Sequence, residues 1–255
     1  MDLDLAGRTY LITGGTDGLG LALAQMLIGE GANVAVCGRD EDRLRFARVT
    51  LGANALCHRA DVTRDGDLEE FVAVTVNQFG GLDGAVSNAG QASGGPVSRS
   101  TNDSWRSDYE LKVIAAVSIA RLCTPLLADS HGSILNVLSI TAKTPNANST
   151  PTSASRAAGL ALTKTLSHEL GSFGVRVNAI LIGLIESGQW VRTAANAKMA
   201  VEDFYESLAS GQKIPLGRVG RADEFASLAT FMLSPRASYL SGVGINLDGG
   251  LSPAL

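Results

Sequence analysis

Short apolar runs and longer amphipathic runs alternate along almost the whole chain, and glycines close most of the units. Arg8–Thr13 reads as a buried strand and Leu19–Gly29 as the helix after it. Asn33–Cys37 is a second strand, and Asp40–Thr50 a helix opened by Asp40 as N-cap. Ala53–His58, Asp83–Ser87, Gly132–Leu138, Val175–Ile182 and Gly242–Leu247 continue the strands. Asp65–Phe79, Asn102–Leu127, Pro151–Gly171 and Arg221–Leu233 continue the helices, with Pro125 expected to bend or end Asn102–Leu127. A mobile helical stretch is expected over about Gln189–Gly211. Strands joined through helices run parallel and cross over right-handedly. The expected fold is α/β, one doubly wound domain over 1–255 with a parallel sheet and helices on both faces.

No Pro/Ser-rich linker divides the chain. Of its 255 residues 45% are apolar and 18% charged, enough to fill a core and too apolar for general disorder. No run of eighteen or more apolar residues occurs, so no bilayer-spanning helix is expected. The acidic start Met1–Arg8 does not resemble a signal peptide, and a cytoplasmic protein is expected. Lys and Arg number 21 against 25 Asp and Glu, without a basic run, so the expected partner is a small molecule rather than nucleic acid or membrane. Cys37, Cys57 and Cys123 are scattered and odd in number, which fits neither a disulfide framework nor a metal site.

Thr13-Gly14-Gly15-Thr16-Asp17-Gly18-Leu19-Gly20 stands where the first strand turns into the first helix. Glycines there let backbone N–H groups approach a diphosphate, and the helix N-terminus adds partial positive charge. The strand before and helix after make this a Rossmann-type nucleotide turn, although the spacing is Gly-x-x-x-Gly-x-Gly.

With that turn the sequence resembles the short-chain dehydrogenase/reductase superfamily, of the type about 250 residues long. Asp61-Val62, Ser87-Asn88-Ala89-Gly90, Ser139, Arg176-Val177-Asn178, Ile182-Gly183, Ile214–Arg218 and Asp248-Gly249-Gly250 match its further motifs in order. The resemblance implies a dinucleotide held by Gly14, Thr16, Asp17, Gly18, Leu19, Gly20, Asp61, Val62, Asn88, Ala89, Gly90, Gly183, Ile185 and Ser187. It also implies a substrate-covering segment at about 188–212 and a homotetramer. NAD-type members carry an acid at the tip of the second strand. Here Gly38 and Arg39 stand there, which favours NADP(H), with NAD(H) remaining open. Arg39 also reads as a solvated helix-entry charge, and Asp17 and Asp40 would repel a 2′-phosphate.

The family's proton chemistry uses a Tyr, a Lys four residues later, a Ser and an Asn. Aligned from Ser139, the Tyr position is Thr152 and the Lys position Arg156; counted from Trp105 through Glu110-Leu111, the Asn position is Lys112, so only the serine is kept. A threonine hydroxyl is a far weaker acid than a phenol, and an arginine keeps its proton at working pH. Arg156 is expected to hold the nicotinamide ribose, Ser139 to orient the substrate oxygen, and Thr152 to matter little. Lys112 lies in Leu111–Cys123, a helix apolar on almost every face, which suits a core or a subunit interface. Desolvation and a nearby Arg156 would lower its pKa toward acid–base use, whereas a paired structural lysine is the plainer reading. Ser133, Ser153, Ser155 and Lys143 have no evident partner, and Trp190 with Phe204-Tyr205 reads as substrate cover or helix packing. The sequence thus points to an NADP(H)-dependent oxidoreductase of carbonyl or alcohol groups with an altered proton donor. A lyase, isomerase or cyclase on the same scaffold, or a nucleotide-binding pseudoenzyme, is the alternative.

Overall fold

Seven strands lie side by side in the computed structural model, which describes residues 1–255. They are β1 (Thr9–Thr13), β2 (Asn33–Gly38), β3 (Ala55–Arg59), β4 (Gly84–Ser87), β5 (Ser133–Ser139), β6 (Arg176–Ile182) and β7 (Gly244–Leu247). Their order is β3-β2-β1-β4-β5-β6-β7, and every pairing is parallel. The order reverses between β1 and β4, so a crevice opens at the carboxyl ends of those strands, where this kind of sheet binds ligands.

Alternate strand residues feed the two faces. Tyr10, Ile12, Val34 and Val36 join one buried cluster with α1 (Gly18–Gly29), α2 (Glu41–Leu51) and α9 (Ala222–Leu233). Leu11, Ala35 and Cys37 join the other, with α3 (Asp65–Phe79), α5 (Ala115–Ser130) and the end of α6 (Thr152–Leu170). Both faces are covered, so these strands read as continuous apolar runs. The three cysteines are free and buried.

The doubly wound α/β fold is the one expected, and most boundaries move by only one or two residues. The long helix differs more. Asn102–Ser130 is continuous through α4 (Asn102–Tyr109), a π-helical turn at Glu110–Ile114, and α5. Pro125 does not end it. Pro125 and Arg121 are both exposed, so the helical hydrogen bond that Pro125 cannot make is lost on the solvent side of the helix. His131, left-handed at φ 51, ends the helix instead. This helix is long and apolar enough to cross a membrane by length and composition, contrary to the expectation from apolar runs. In the fold it carries Ala115, Ile119, Cys123 and Leu127 into the core. The stretch after β6 resolves into α7 (Gly188–Asn196) and α8 (Val201–Gln212). Lys143 does have partners: its Nζ donates to Gly244 O, Asn246 Oδ1 and Leu255 O, tying the C-terminal segment to β7.

Candidate active site

The turns after β1 and β4 are laced together by side chains. Thr13 Oγ1 accepts from Asn88 N and Ala89 N at 3.0 and 3.1 Å. Asn88 Nδ2 donates to Thr13 O and Gly14 O at 2.9 and 3.0 Å. Gly20 permits this approach, because a Cβ there would lie 2.5 Å from Asn88 Nδ2. Asp17 caps α1, its Oδ1 accepting from Gly18 N at 2.7 Å.

These turns wall one side of a cleft of about 810 Å³. Among the residues expected to hold cofactor, Gly14, Thr16, Asp17, Gly18, Leu19, Arg39, Val62, Asn88, Ala89, Gly90, Arg156, Gly183, Ile185 and Ser187 all line it. Gly20 and Asp61 are not among the residues lining it. Asp61 acts locally: its Oδ1 accepts from Thr63 N and Thr63 Oγ1, and its Oδ2 lies 3.4 Å from Arg39 Nη1. A dinucleotide fits these residues, since backbone N–H groups at a helix N-terminus meet a cradle that side chains would fill.

The adenosine end has a further steric feature. A Cβ on Gly38 would lie 2.6 Å from Thr16 Oγ1, so Thr16 occupies the space an acidic side chain would need. Arg39 and Arg43 both face the cleft beside it. The two acids nearby both have partners. Asp40 caps α2 by accepting from Asp42 N and Arg43 N, both at 3.0 Å, and the Arg43 N–H holds its carboxyl below the usual range. Asp17 Oδ2 faces Arg43 Nη1 at 3.6 Å and Arg192 Nη1 at 3.1 Å.

At the other end lies a buried polar cluster centred on Lys112. Its ammonium donates to Asp108 Oδ1, to Ser93 Oγ at 3.0 Å and to Thr152 Oγ1 at 2.6 Å. Ser93 Oγ and Thr152 Oγ1 are 2.7 Å apart, and Asp108 also accepts from Ser93 and Ser155 hydroxyls. Ser155, without a partner in the sequence reading, therefore belongs to this cluster. Burial lowers the Lys112 pKa and Arg156 lowers it further, against the opposing pull of Asp108. Burial would raise the Asp108 carboxyl, but hydrogen bonds from Lys112, Ser155 and Ser93 hold it below the usual range.

Thr152 connects this cluster to the cleft, which it lines together with Ser139 and Arg156. Ser139 Oγ accepts from Thr141 N at 3.2 Å. Arg156 Nη1 donates to Val137 O at 2.7 Å, while its Nε is buried without a partner. Burial pushes the Arg156 pKa down to about 10, against a raising effect of Asp108. A small cavity of about 10 Å³ beneath the cleft is lined by Lys112, Arg156, Ser87 and Asn136. The four positions read as catalytic thus fall around one end of the cleft. Trp190 lines the cleft too and packs on Phe204 with ring centroids 6.1 Å apart.

The sequence reading missed Asp108, Ser93, Arg43, Gln189 and Arg192. One signal was available, because Asp108 and Lys112 have the i, i+4 spacing of a helical ion pair. Ser93 lies 19 residues from Lys112 in a loop, and no local pattern marks it.

A family model described as Enoyl-(Acyl carrier protein) reductase matches residues 14–252. Rabbit (Oryctolagus cuniculus) L-fucose dehydrogenase is 32% identical over 247 residues, covering 96% of this chain and 85% of that protein. An NADPH-bound short-chain oxidoreductase from Pseudomonas aeruginosa PAO1, described as containing an atypical catalytic center, superposes with a TM-score of 0.92. It is 35% identical, with 97% of this chain and 98% of that one covered. L-Sorbose reductase from Gluconobacter frateurii, complexed with NADPH and L-sorbose, gives a TM-score of 0.94 at 31% identity, with 100% of both chains covered. The chain belongs to the short-chain dehydrogenase/reductase superfamily, within the family that model describes, and is an oxidoreductase of that kind.

Proposed function

We propose that the protein is an NADP(H)-dependent oxidoreductase that interconverts a carbonyl and an alcohol, with Lys112 as proton source in place of a tyrosine. The buried chain Asp108–Lys112–Thr152, ending at the cleft, is the observation that carries this reading. Bound NADP(H) would supply or accept hydride at the substrate carbon.

The chain's own residues then manage the oxygen. Ser139 donates to it and fixes its orientation. Thr152 hands its hydroxyl proton to the developing alkoxide while taking one from the Lys112 ammonium 2.6 Å away. Thr152 is thus a relay, and its weak acidity is no obstacle because it never carries the charge alone. This revises the expectation that Thr152 matters little. Asp108 stabilises the lysinium and, with Ser93 and Ser155, keeps it pointed at Thr152. Arg156, positively charged at neutral pH, holds the ribose on the nicotinamide side.

Gly38, Arg39 and Arg43 support NADP(H) over NAD(H). The segment 188–212 covers the substrate. Relatives described as acting on L-fucose and L-sorbose, together with Gln91, Gln189 and Trp190 at the cleft, favour a polyhydroxylated substrate. The test is a panel of ketoses, aldoses, simple ketones and the matching alcohols, followed at the nicotinamide absorbance with both cofactors. Turnover with NADP(H) on at least one polyhydroxylated pair is expected. Tight NADPH binding without turnover on any member would overturn the redox reading.

A further inference from the structure

Asp17 stands between two guanidinium groups carried by different helices. Its Oδ1 is committed to the Gly18 N–H, and its Oδ2 faces both Arg43, at 3.6 Å, and Arg192, at 3.1 Å. Arg43 comes from the first turn of α2, next to Arg39 in the cleft wall. Arg192 comes from α7, the helix that carries Trp190. This helix begins hard against the nucleotide turn. A Cβ on Gly188 would lie 2.3 Å from Asp17 Oδ2, and one on Gly18 would lie 3.6 Å from Ser187 Cβ. Gln189 fastens the same helix to the loop after β4, its Oε1 accepting from Ala92 N at 3.3 Å.

We infer that Asp17, Arg43 and Arg192 form a charge relay by which the cofactor's 2′-phosphate tightens α7 over the substrate end of the cleft. The inference rests on the NADP(H) reading above. Arg39, just after β2, and Arg43, in the first turn of α2, line the cleft, and each is held there by a carboxylate, Asp61 or Asp17. All these side chains are partly exposed, so the pairs are weak and exchange readily. A phosphate monoester carries close to two negative charges and accepts two parallel hydrogen bonds from a guanidinium, which lets it draw Arg43 from a single carboxylate.

The consequence for Arg192 follows from Coulomb's law. When Arg43 turns to the phosphate, a like charge leaves the far side of Asp17 Oδ2 and Arg192 has that oxygen to itself. The added negative charge nearby pulls in the same direction. NAD(H), with a 2′-hydroxyl, leaves Arg43 where it is and Asp17 divided between two partners. Arg43 is therefore a specificity-determining residue, and Asp17 and Arg192 are positioning residues that turn cofactor identity into closure of α7.

Trp190 and Lys198 supply readouts that need no turnover. In a Trp105→Phe background the remaining tryptophan is Trp190, so its emission reports α7. Trypsin cleavage after Lys198, just beyond α7, reports opening of the segment. With both oxidised cofactors at saturation, NADP+ is expected to shift Trp190 emission more than NAD+. It should also slow cleavage after Lys198 about fivefold more, the equivalent of about 1 kcal/mol. Asp17→Asn, which keeps an N-cap, and Arg192→Gln should each erase that difference while NADP+ remains the tighter ligand. Arg43→Ala should erase it and also weaken NADP+ binding about tenfold. Equal emission changes and equal protection with the two cofactors, NADP+ still binding more tightly, would overturn the relay and leave the cofactor reading intact. Equal affinities would overturn the cofactor reading and the relay with it.

Discussion

Asp108 and Lys112 pair inside the protein, four residues apart along one helix, with each side chain only 1% exposed. Two charges are taken out of water there, and mutual attraction plus hydroxyl partners offset that cost. Such a pair contributes little net stability, yet removing one member strands the other. Its position against Thr152, at the cleft, is what the proposed proton relay uses.

Breaking the pair therefore separates stability from function. Asp108→Asn leaves an uncompensated lysinium and should cost about 3–5 kcal/mol in urea unfolding. The double variant Asp108→Leu with Lys112→Met should recover much of that loss, yet remain inactive. If the single variant unfolds like the parent, the pair does not hold its charges as described. The pH dependence has a definite sign. With its folded pKa held below the unfolded value, Asp108 contributes stability above about pH 4, and that contribution is lost as pH falls through the folded pKa.

Cofactor preference should respond to geometry as well as charge. Arg39→Asp should narrow or reverse the preference for NADP(H), since one bidentate guanidinium–phosphate contact is worth about 1.5–3 kcal/mol, tenfold or more. Gly38→Asp alone should weaken both cofactors, because its Cβ would meet Thr16 Oγ1 at 2.6 Å. Adding Thr16→Ala makes room for the carboxylate and should raise NAD(H) affinity. Dissociation constants by calorimetry check both, and strong NAD(H) binding by Gly38→Asp alone would contradict the steric account.

Ser139 and Arg156 should each be needed for turnover. Ser139→Ala removes a donor to the substrate oxygen and should lower kcat about 10²–10³-fold. Arg156→Ala should chiefly weaken reduced-cofactor binding and mispositions the nicotinamide. Steady-state kinetics with both variants checks this, and unchanged kcat in Ser139→Ala would remove it from the mechanism.

The exposed face of α5 bears on assembly. Ile114, at the end of the π-helical turn, and Val117 on α5 are 45% and 39% exposed, on the same side as the exposed Arg121. We propose that this face is covered in a homotetramer. Sedimentation should show four chains at micromolar concentration, and Val117→Glu should shift the distribution to smaller species. A parent monomer would contradict the proposal.

What the sequence made legible follows from physical range. The strand and helix alternation, the Asp40 cap and the Gly-rich turn are local signals, and they place the cleft and most of its cofactor wall. The Lys112 position could be found by spacing from Trp105 and Glu110-Leu111, but its partners could not. Ser93 reaches it from a loop, Thr152 from α6 40 residues on, and both depend on the tertiary fold. The π-helical turn at Glu110–Ile114 was equally hidden, since it is one extra residue in an otherwise helical pattern. Gly38 was read as an absent acid, while the reason for its absence, the Thr16 side chain, lies in another element.

Proton delivery from Lys112 through Thr152 is the centre of the account, and the pH profile of carbonyl reduction by NADPH tests it most directly. On the proposed relay, reduction requires a protonated Lys112, so the rate should fall as pH rises through a pKa below that of an ordinary lysine. Lys112→Met should lose that limb along with about 10²–10⁴-fold in rate. Thr152→Val should lose a similar factor, and Thr152→Ser should retain most of the activity and the limb. A Lys112→Met or Thr152→Val enzyme with the parent's rate and the parent's pH profile would contradict the account.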